Sequence, residues 1–414
     1  MTDLPARSLW RGRALALLGI VLTAFSLRSA VASLSPILAE VNAEFTVPTA
    51  VVGLIGAAPP VCFAVFGIVT PALERRFGLE RLAAASMLVA TAAMVWRALA
   101  SDAIVLLIAT TVLFAAVGVG NVVLPPLIKK YFPDRIGAMT ALYSSLLAVA
   151  AFVPPLVAVP VADASGWRFS LGLWSVFAAA AIVPWIVQLA RDARAATSDE
   201  PGIDVDEPTP RVLGRLTRIP LAWALAVSFA ISSASVYVCF AWLPVVLVDI
   251  AHVDHATAGA LLSLFGAMGL PWSILVPIAI VRWNRTGLVY GVALVAGMAG
   301  VLGLVLAPTA ATVLWVVLLG IPQGLFPGVL VMIQRRSRTH EGAVALSSFT
   351  QSLGYAIAAL FPLAFAILHE ATGGWQVPLL VLGALFLFTV PAGYVVTHTS
   401  TIEGEWEKRT ARRW

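Results

Sequence analysis

The chain is poor in charged residues, and this shortage excludes most soluble classes of protein. Only 11% of its 414 residues are charged and 60% are hydrophobic, whereas about 25% of the residues of a soluble domain are charged. The two cysteines lie in apolar stretches and form neither a disulfide framework nor a metal pattern. We find no Gly-Lys-Ser/Thr phosphate motif and no readable Ser-His-Asp grouping. We therefore expect no enzyme activity, no cofactor, no metal and no ATP-driven mechanism.

Long apolar runs occupy most of the chain instead. Each is about 18 residues or longer, which suffices to cross the roughly 30 Å hydrocarbon core of a bilayer. Twelve such runs are readable, at 14–38, 50–72, 82–100, 103–126, 138–160, 169–190, 219–247, 257–280, 286–306, 311–333, 342–367 and 376–396. The composition therefore predicts an all-α membrane protein embedded in the lipid bilayer.

The basic residues predict the orientation of these spans. Of the 26 Lys and Arg, 23 lie before the first span or after an even-numbered one, and the other loops contain only Arg168. This positive-inside bias predicts an inner (plasma) membrane protein with both termini in the cytoplasm. It also explains the net charge of +5 without a nucleic-acid partner. Arg7–Arg13, the apolar run and Ala30-Val31-Ala32 imitate a cleavable signal peptide, but the internal repeat argues against cleavage.

That repeat divides the chain into two halves of six spans. A charged, proline-containing linker at 191–218 separates residues 1–190 from residues 219–414, which include a cytoplasmic tail. The matching segments are Asp163–Trp167 with Glu370–Trp375, and Asn121 four residues before Pro125 with Gln323 four residues before Pro327. Two six-helix, pseudo-symmetric halves are the architecture of the major facilitator superfamily, in which the substrate binds near the membrane midplane.

Arg28 is the most informative residue for function. It lies about 21 Å along a helix that begins at Ala14, where a guanidinium costs roughly 2.5–3.5 kcal/mol. None of the 21 Asp and Glu falls in the middle of a predicted span, so we expect no buried carboxylate to pair with it. Arg28 therefore indicates either a site for negative charge or a structural arginine bonded to backbone carbonyls. Arg97, near the outer end of the third span, is expected to snorkel to the surface.

Other polar side chains inside the spans are candidate substrate contacts, because each is costly in lipid unless it faces the bundle interior. Each could equally form a hydrogen bond between packed helices. The candidates are Asn121, Tyr143, Ser232, Ser233, Tyr237, Gln323, Gln351 and Tyr355. Gly297, Gly300 and Gly303 in the ninth span instead predict close helix packing.

Several motifs resemble those of the cyanate/nitroimidazole (CynX/NimT) transporter family. They are Ser26–Leu38, Gly120–Arg135, Trp242–Pro244, Gly324–Phe326 with Pro327, Gln351–Tyr355 and Glu370–Trp375. The segment Pro71–Gly78 resembles the superfamily's gating loop, which the resemblance places at Glu74, Arg75, Arg76 and Gly78. Ser26 and Ser29 stand where that family commonly has Asn and Pro, and Ser232 stands where it commonly has Gln.

The resemblance implies a carrier that moves a small anionic or polar solute by alternating access. Arg28 would supply positive charge, and the polar candidates would supply orienting hydrogen bonds in a monomer. Two alternatives stay open at this point. One is a drug or xenobiotic efflux carrier of the same fold, and the other is a membrane sensor or scaffold that transports nothing.

Overall fold

The chain is helical in the residues that the computed structural model describes, which are 13–195, 214–398 and 401–410. The first half consists of α1 (Arg13–Ala32), a 3-10 turn (Ser35–Ile37), α2 (Leu38–Glu44), α3 (Thr49–Phe77), α4 (Leu79–Ala98), α5 (Ala103–Tyr131), α6 (Ile136–Ser165), α7 (Trp167–Gly172) and α8 (Ser175–Ala195). The residues before α1 and most of the 191–218 linker lie outside the described residues.

The second half has more and shorter helices. They are α9 (Pro220–Ala251), α10 (His255–Ala267), α11 (Gly269–Val281), α12 (Thr286–Leu306), α13 (Thr312–Gly320), a 3-10 turn (Ile321–Gly324), α14 (Leu325–Arg335), α15 (His340–Ala358), α16 (Leu360–Thr372), α17 (Gln376–Leu387), α18 (Thr389–His398) and α19 (Ile402–Thr410). Together the described helices form twelve segments long and apolar enough to cross a membrane. The all-α prediction of twelve spans is confirmed.

Two units emerge from the packing of the chain. The first contains the described residues of Met1–Val47 and Val65–Gly202, and the second contains those of Pro48–Ala64 and Ile203–Trp414. In the first unit α1 packs against α5, α6 and α8, and α4 packs against α5 and α8. In the second unit α9 packs against α10, α14, α15, α16 and α18. The division at 1–190 and 219–414 stays a prediction.

Small residues allow the helices of the second unit to approach closely. A Cβ added at Gly297 would lie 2.7 Å from the Phe386 ring, and one at Gly300 would lie 2.9 Å from Leu319. Real Cβ atoms essentially never lie within 3.0 Å of an atom on a neighbouring helix, so both helix pairs require glycine at these positions. Gly303 meets the Trp315 ring in the same way. The predicted packing role of these three glycines is confirmed.

The internal repeat is visible in a pair of hydrogen bonds. In the first unit the Trp167 indole N–H donates to Glu44 Oε2 over 3.0 Å. In the second unit the Trp375 indole N–H donates to Asp249 Oδ2 over 2.7 Å. Each tryptophan ends one of the matched motifs, and each carboxylate lies near the end of the first span of its own unit. The two halves therefore contain an equivalent tryptophan–carboxylate hydrogen bond at corresponding positions.

Candidate functional site

The first span is interrupted just after Arg28. Pro36 cannot donate a backbone hydrogen bond, and its ring clashes with the carbonyl four residues earlier, which belongs to Ala32. Accordingly α1 ends at Ala32 and is followed by a 3-10 turn and the short α2. Arg28 lies one helical turn before this end, and its side chain is half-buried. Interrupted spans are a common feature of transporter binding sites.

The serines on either side of Arg28 bond to their own helix. Ser26 Oγ donates to the Leu22 carbonyl over 2.8 Å, and Ser29 Oγ donates to the Ser26 carbonyl over 3.3 Å. Both serines are fully buried. Their hydroxyl groups therefore have hydrogen-bond partners within α1 itself, and α1 continues through this segment as a regular helix.

The expectation that Arg97 snorkels to the surface is wrong. Its side chain is only 1% exposed. One guanidinium nitrogen donates to the Ala30 carbonyl over 3.0 Å, and another donates to Ser33 Oγ over 2.9 Å. The last carbonyls of a helix have no intrahelical partner, so Arg97 ties down the end of α1 just beyond Arg28. The sequence shows an arginine in a span but does not show which helix end it reaches.

In the same unit the structure brings two candidate residues together. Tyr143 on α6 donates its hydroxyl to Asn121 Oδ1 on α5 over 3.4 Å, and both side chains are half-buried. The bond is long for an O–H donor, whose usual distance is about 2.7–2.8 Å. It therefore constrains the two side chains only weakly relative to each other.

Gln323, the counterpart of Asn121 in the repeat, has a different environment. It lies in the 3-10 turn that interrupts the tenth span, whereas Asn121 lies within a continuous helix. Its amide nitrogen donates to the Phe265 carbonyl in the last turn of α10 over 2.7 Å. Its own backbone carbonyl accepts from Ser232 Oγ over 3.2 Å. Gln323 and Ser232 thus connect three spans of the second unit around an interruption.

Two other candidate residues of this unit, Tyr237 and Tyr355, belong to an aromatic cluster with Phe63 and Phe229. The Tyr355 ring lies 4.8 Å from the Phe229 ring, 5.6 Å from the Phe63 ring and 6.4 Å from the Tyr237 ring. The first two pairs meet edge to face, the arrangement that aromatic rings favour. Tyr237 and Tyr355 were predicted site residues, but Phe63 and Phe229 were missed because nothing distinguishes them from ordinary apolar span residues in the sequence.

The remaining two candidates of the second unit lie near this cluster in the sequence. Gln351, on α15 one turn before Tyr355, is half-buried and donates its amide to Ser347 Oγ over 2.7 Å. Ser233 on α9 is 5% exposed. Their predicted role in binding stays a prediction.

The predicted gating loop contains a backbone conformation that only glycine adopts easily. α3 ends at Phe77, and Gly78 has a φ of 82° and a ψ of 158°. Arg75 and Arg76 are exposed, and Glu74 is half-buried. Beside the loop, Glu80 accepts hydrogen bonds from Lys130 Nζ over 2.6 Å and from the Tyr131 hydroxyl over 2.7 Å.

The expectation of no buried carboxylate needs a correction. Glu80 is 6% exposed and Glu403 is 2% exposed. Glu80 lies in the first turn of α4, and Glu403 lies on α19, where it accepts the backbone N–H groups of Arg338 and Thr339. Both are buried at helix ends, where one carboxylate oxygen of each accepts hydrogen bonds, and neither lies midway along a span. In the described residues no cluster of His, Cys, Asp and Glu could hold a metal ion.

Comparisons with known proteins agree with this architecture. Residues 17–362 match the Major Facilitator Superfamily. The chain is 31% identical to the uncharacterized transporter YycB of Bacillus subtilis over 383 residues, which is 91% of each chain. It is 30% identical to the 2-nitroimidazole transporter of Escherichia coli over 91% of this chain and 94% of that one. It is 26% identical to the Escherichia coli cyanate transport protein CynX over 87% of this chain and 91% of that one.

A solved structure shows the same fold. The crystal structure of a bacterial homolog of the human lysosomal transporter Spinster, inward-facing and unoccupied, matches with a TM-score of 0.70 at 15% identity, covering 100% of this chain and 99% of the other. The resemblance to the cyanate/nitroimidazole transporters that the motifs predicted is confirmed.

Proposed function

Because the chain belongs to the Major Facilitator Superfamily and is a multi-pass membrane transporter, we propose that it carries a small anionic or electron-rich polar solute of the cyanate or nitroimidazole type. Transport is secondary active or facilitative and proceeds by alternating access. Similarity to two named solute transporters over about nine tenths of the chain supports this function over a sensor or scaffold.

The observation that carries the proposal is the position of Arg28. It is a half-buried guanidinium inside the first span, one turn before a helix interruption. A guanidinium presents a planar set of donors that matches two oxygens of a carboxylate-like group, and a nitro group offers the same pair of oxygens. The hydroxyl groups of the neighbouring Ser26 and Ser29 already bond to carbonyls of their own helix. We therefore assign recognition of the solute in this turn to the guanidinium of Arg28.

The aromatic cluster supports a flat, ring-containing solute within this class. Tyr355 is half-buried and is the ring of this cluster that a solute ring could contact, while Phe63 and Tyr237 are buried behind it. Gln351 and Ser233 lie close to these rings in the sequence and can donate hydrogen bonds to a polar substituent. The second unit therefore favours a nitroimidazole-like ring over the three-atom cyanate ion.

The test measures binding and transport for Arg28 variants in proteoliposomes supplied with 2-nitroimidazole or cyanate. Arg28→Lys keeps the charge but loses the planar fork, and one charge-assisted hydrogen bond contributes roughly 1.5–3 kcal/mol. We therefore expect affinity about 10- to 100-fold weaker in a protein that still folds. Arg28→Ala should transport no better than Arg28→Lys. Arg81→Lys, an exposed residue on α4, is the matched control. Normal affinity in well-folded Arg28→Ala would end the anion-site proposal.

Efflux of lipophilic aromatic compounds is the second candidate, and the same aromatic cluster favours it. The two functions differ in their dependence on Arg28. Export of a neutral aromatic compound should survive Arg28→Ala and fail in Tyr355→Ala, whereas carriage of an anionic solute should fail in the first variant. Comparing a neutral and an anionic compound of similar size in both variants separates the two candidates.

The proposal includes the orientation of the chain, with both termini in the cytoplasm of the cell and the protein in the plasma membrane as a monomer. Its support is the alternation of basic residues along the sequence. Cysteine labelling tests it on a background without Cys62 and Cys239, which are both buried. A cysteine placed in the 191–218 linker should react only from the inside, and labelling from the outside alone would reverse the assignment.

A further inference from the structure

An apolar groove in the second unit has no role in the proposed solute pathway. Its cavity measures about 180 Å³ and lies among α11, α12 and the interruption of the tenth span. Trp272, Val276 and Trp283 line one side, and Leu288 and Val292 line another. A sealed apolar cavity of roughly 150 Å³ already accommodates a benzene molecule, so this space is too large to be a packing defect.

The groove is open to the surroundings of the unit. Trp283, Leu288 and Val292 are 57%, 58% and 36% exposed. Because the protein spans a membrane, exposed apolar side chains on α11 and α12 meet lipid chains. The floor of the groove requires Gly324, since a Cβ there would lie 3.0 Å from Val276 Cγ2 and 3.3 Å from Trp272 Cβ. A larger residue at Gly324 would fill the floor.

The length of the groove matches half a bilayer. From Trp272 to its end at Val281, α11 is about 14 Å long at 1.5 Å per helical residue, and Trp283 follows in the turn. Half of the hydrocarbon core of a bilayer is about 15 Å thick. An acyl chain that lies along α11 therefore reaches from mid-membrane to the interface, where Trp283 lies. Tryptophan is enriched at that level of membrane proteins.

The mouth of the groove is basic and lacks acidic residues. The turn after α11 contains Arg282 and Arg285, both exposed, with Asn284 in the left-handed conformation. No Asp or Glu occurs between Asp254 and Glu341 in the sequence. Among the described residues neither of these two arginines forms an ion pair with a carboxylate.

The guanidinium groups of Arg282 and Arg285 are also not needed as hydrogen-bond donors to the carbonyls at the end of α11. Backbone N–H groups of Arg282 and Trp283 bond to the Ile278 carbonyl, and that of Arg285 bonds to the Ala279 carbonyl. A third basic side chain, Arg335, donates to the Ile280 carbonyl over 2.6 Å. The carbonyls of Ile278, Ala279 and Ile280 at the end of α11 thus have other partners, and the charges of Arg282 and Arg285 remain available for an anion outside the protein.

We propose that this groove is a binding site for an anionic phospholipid. One acyl chain lies between α11 and α12, and the headgroup phosphate contacts Arg282 and Arg285. Basic pockets between transmembrane helices at the cytoplasmic side recognise anionic headgroups in this way. The site is independent of the solute pathway, so it does not rest on Arg28 or on the identity of the cargo.

The experiment measures lipid binding to the purified full-length protein in detergent by native mass spectrometry. Phosphatidylglycerol, phosphatidylcholine with the same acyl chains, and inorganic phosphate are added separately. We expect tight binding of phosphatidylglycerol alone. The double variant Arg282→Gln/Arg285→Gln should bind it roughly 25-fold more weakly, which is about fivefold for each basic residue near an anionic surface. Arg81→Gln/Lys129→Gln removes the same charge from two exposed positions elsewhere and should bind as tightly as the unmodified protein.

A second pair of variants tests the apolar part of the site. Val292→Trp fills the groove and should weaken phosphatidylglycerol binding with both arginines intact. Val295→Trp, on the same helix at a position that is 68% exposed and outside the groove, should leave it unchanged. The proposal is overturned if phosphatidylcholine binds equally well or if phosphate alone competes as effectively as the lipid. It is also overturned if removal of both arginines has no effect, or if a second copy of the chain covers the groove and Val292→Trp disrupts that dimer.

Discussion

Replacing Gly354 by alanine should test whether the aromatic cluster is rigid. A Cβ at Gly354 on α15 would lie 2.5 Å from Phe229 Cδ1 and 3.1 Å from Phe229 Cβ. The phenyl ring of Phe229 is fully buried. It is held between the Phe326 ring at 5.3 Å and the Tyr355 ring at 4.8 Å. The ring cannot move aside without displacing Tyr355, a proposed substrate contact.

The expected change in stability is the sum of two opposing terms. Overpacking a core costs about 1–3 kcal/mol, and alanine in place of glycine within a helix contributes up to about 1 kcal/mol. Gly354→Ala should therefore lower the free energy of unfolding by about 0–3 kcal/mol. Gly67→Ala on α3 is the matched control, because no described atom lies within 4 Å of its added Cβ. That variant should gain up to about 1 kcal/mol from helix propensity.

Unfolding in detergent by a denaturant titration measures both variants, and a binding assay follows the solute. Phe229→Leu combined with Gly354→Ala should recover part of the loss, with a coupling energy of about 0.5–3 kcal/mol. Solute affinity should fall in Gly354→Ala and stay unchanged in Gly67→Ala. The reasoning would be refuted if Gly354→Ala were as stabilising as Gly67→Ala, or if the two substitutions at the cluster were additive.

Three further outcomes are expected. Arg97→Lys should weaken solute affinity while the protein stays folded. Two separate guanidinium nitrogens of Arg97 reach Ala30 and Ser33, and a compact ammonium does not reproduce this planar fork. Unchanged binding would contradict this positioning role. Gly78→Ala and Gly166→Ala should each cost about 1–3 kcal/mol from backbone strain, because both glycines have φ above 80° with open space around them. Backbone hydrogen bonding from Thr257 lowers the pKa of the Asp254 carboxylate. The stabilising effect of this helix N-cap is therefore fully present above the unfolded-state pKa of Asp254, and it is lost as the pH falls through the folded-state pKa. When the unfolding midpoint is measured over a series of pH values, it should therefore decrease less on acidification in Asp254→Ala than in the unmodified protein.

The fold was predictable from local properties of the sequence. Each span is recognisable because about 20 apolar residues in a row suffice to cross a bilayer, whatever their neighbours are. The two halves were recognisable because corresponding motifs recur in the same order. Arg28 was recognisable as a candidate because a permanent charge in an apolar run is unusual by itself. None of these inferences requires knowledge of which helix packs against which.

The partners of the site residues were not predictable, since they depend on contacts between distant segments. Arg97 lies 64 residues from Ser33 along the chain, and Phe63 lies nearly 300 residues from Tyr355, yet both pairs are in contact. The type of a residue does not reveal which neighbouring helix its side chain contacts, because a helix presents different faces to several neighbours. The same limit applied to Glu80, which is charged in the sequence but buried and satisfied in the fold.

The linear order of residues is enough to establish the membrane environment, the number of spans, the pseudo-repeat and the presence of an intramembrane cation. The packed arrangement of helices was needed to show where the first and tenth spans are interrupted relative to Arg28 and Gln323, and which rings surround Tyr355. Only it revealed the groove beside Arg282 and Arg285. The physical reason is that insertion into a bilayer depends on the summed transfer free energy of consecutive residues, which can be read from the chain in order. A binding site depends on distances between side chains of separate helices, and those distances exist only after the helices have packed.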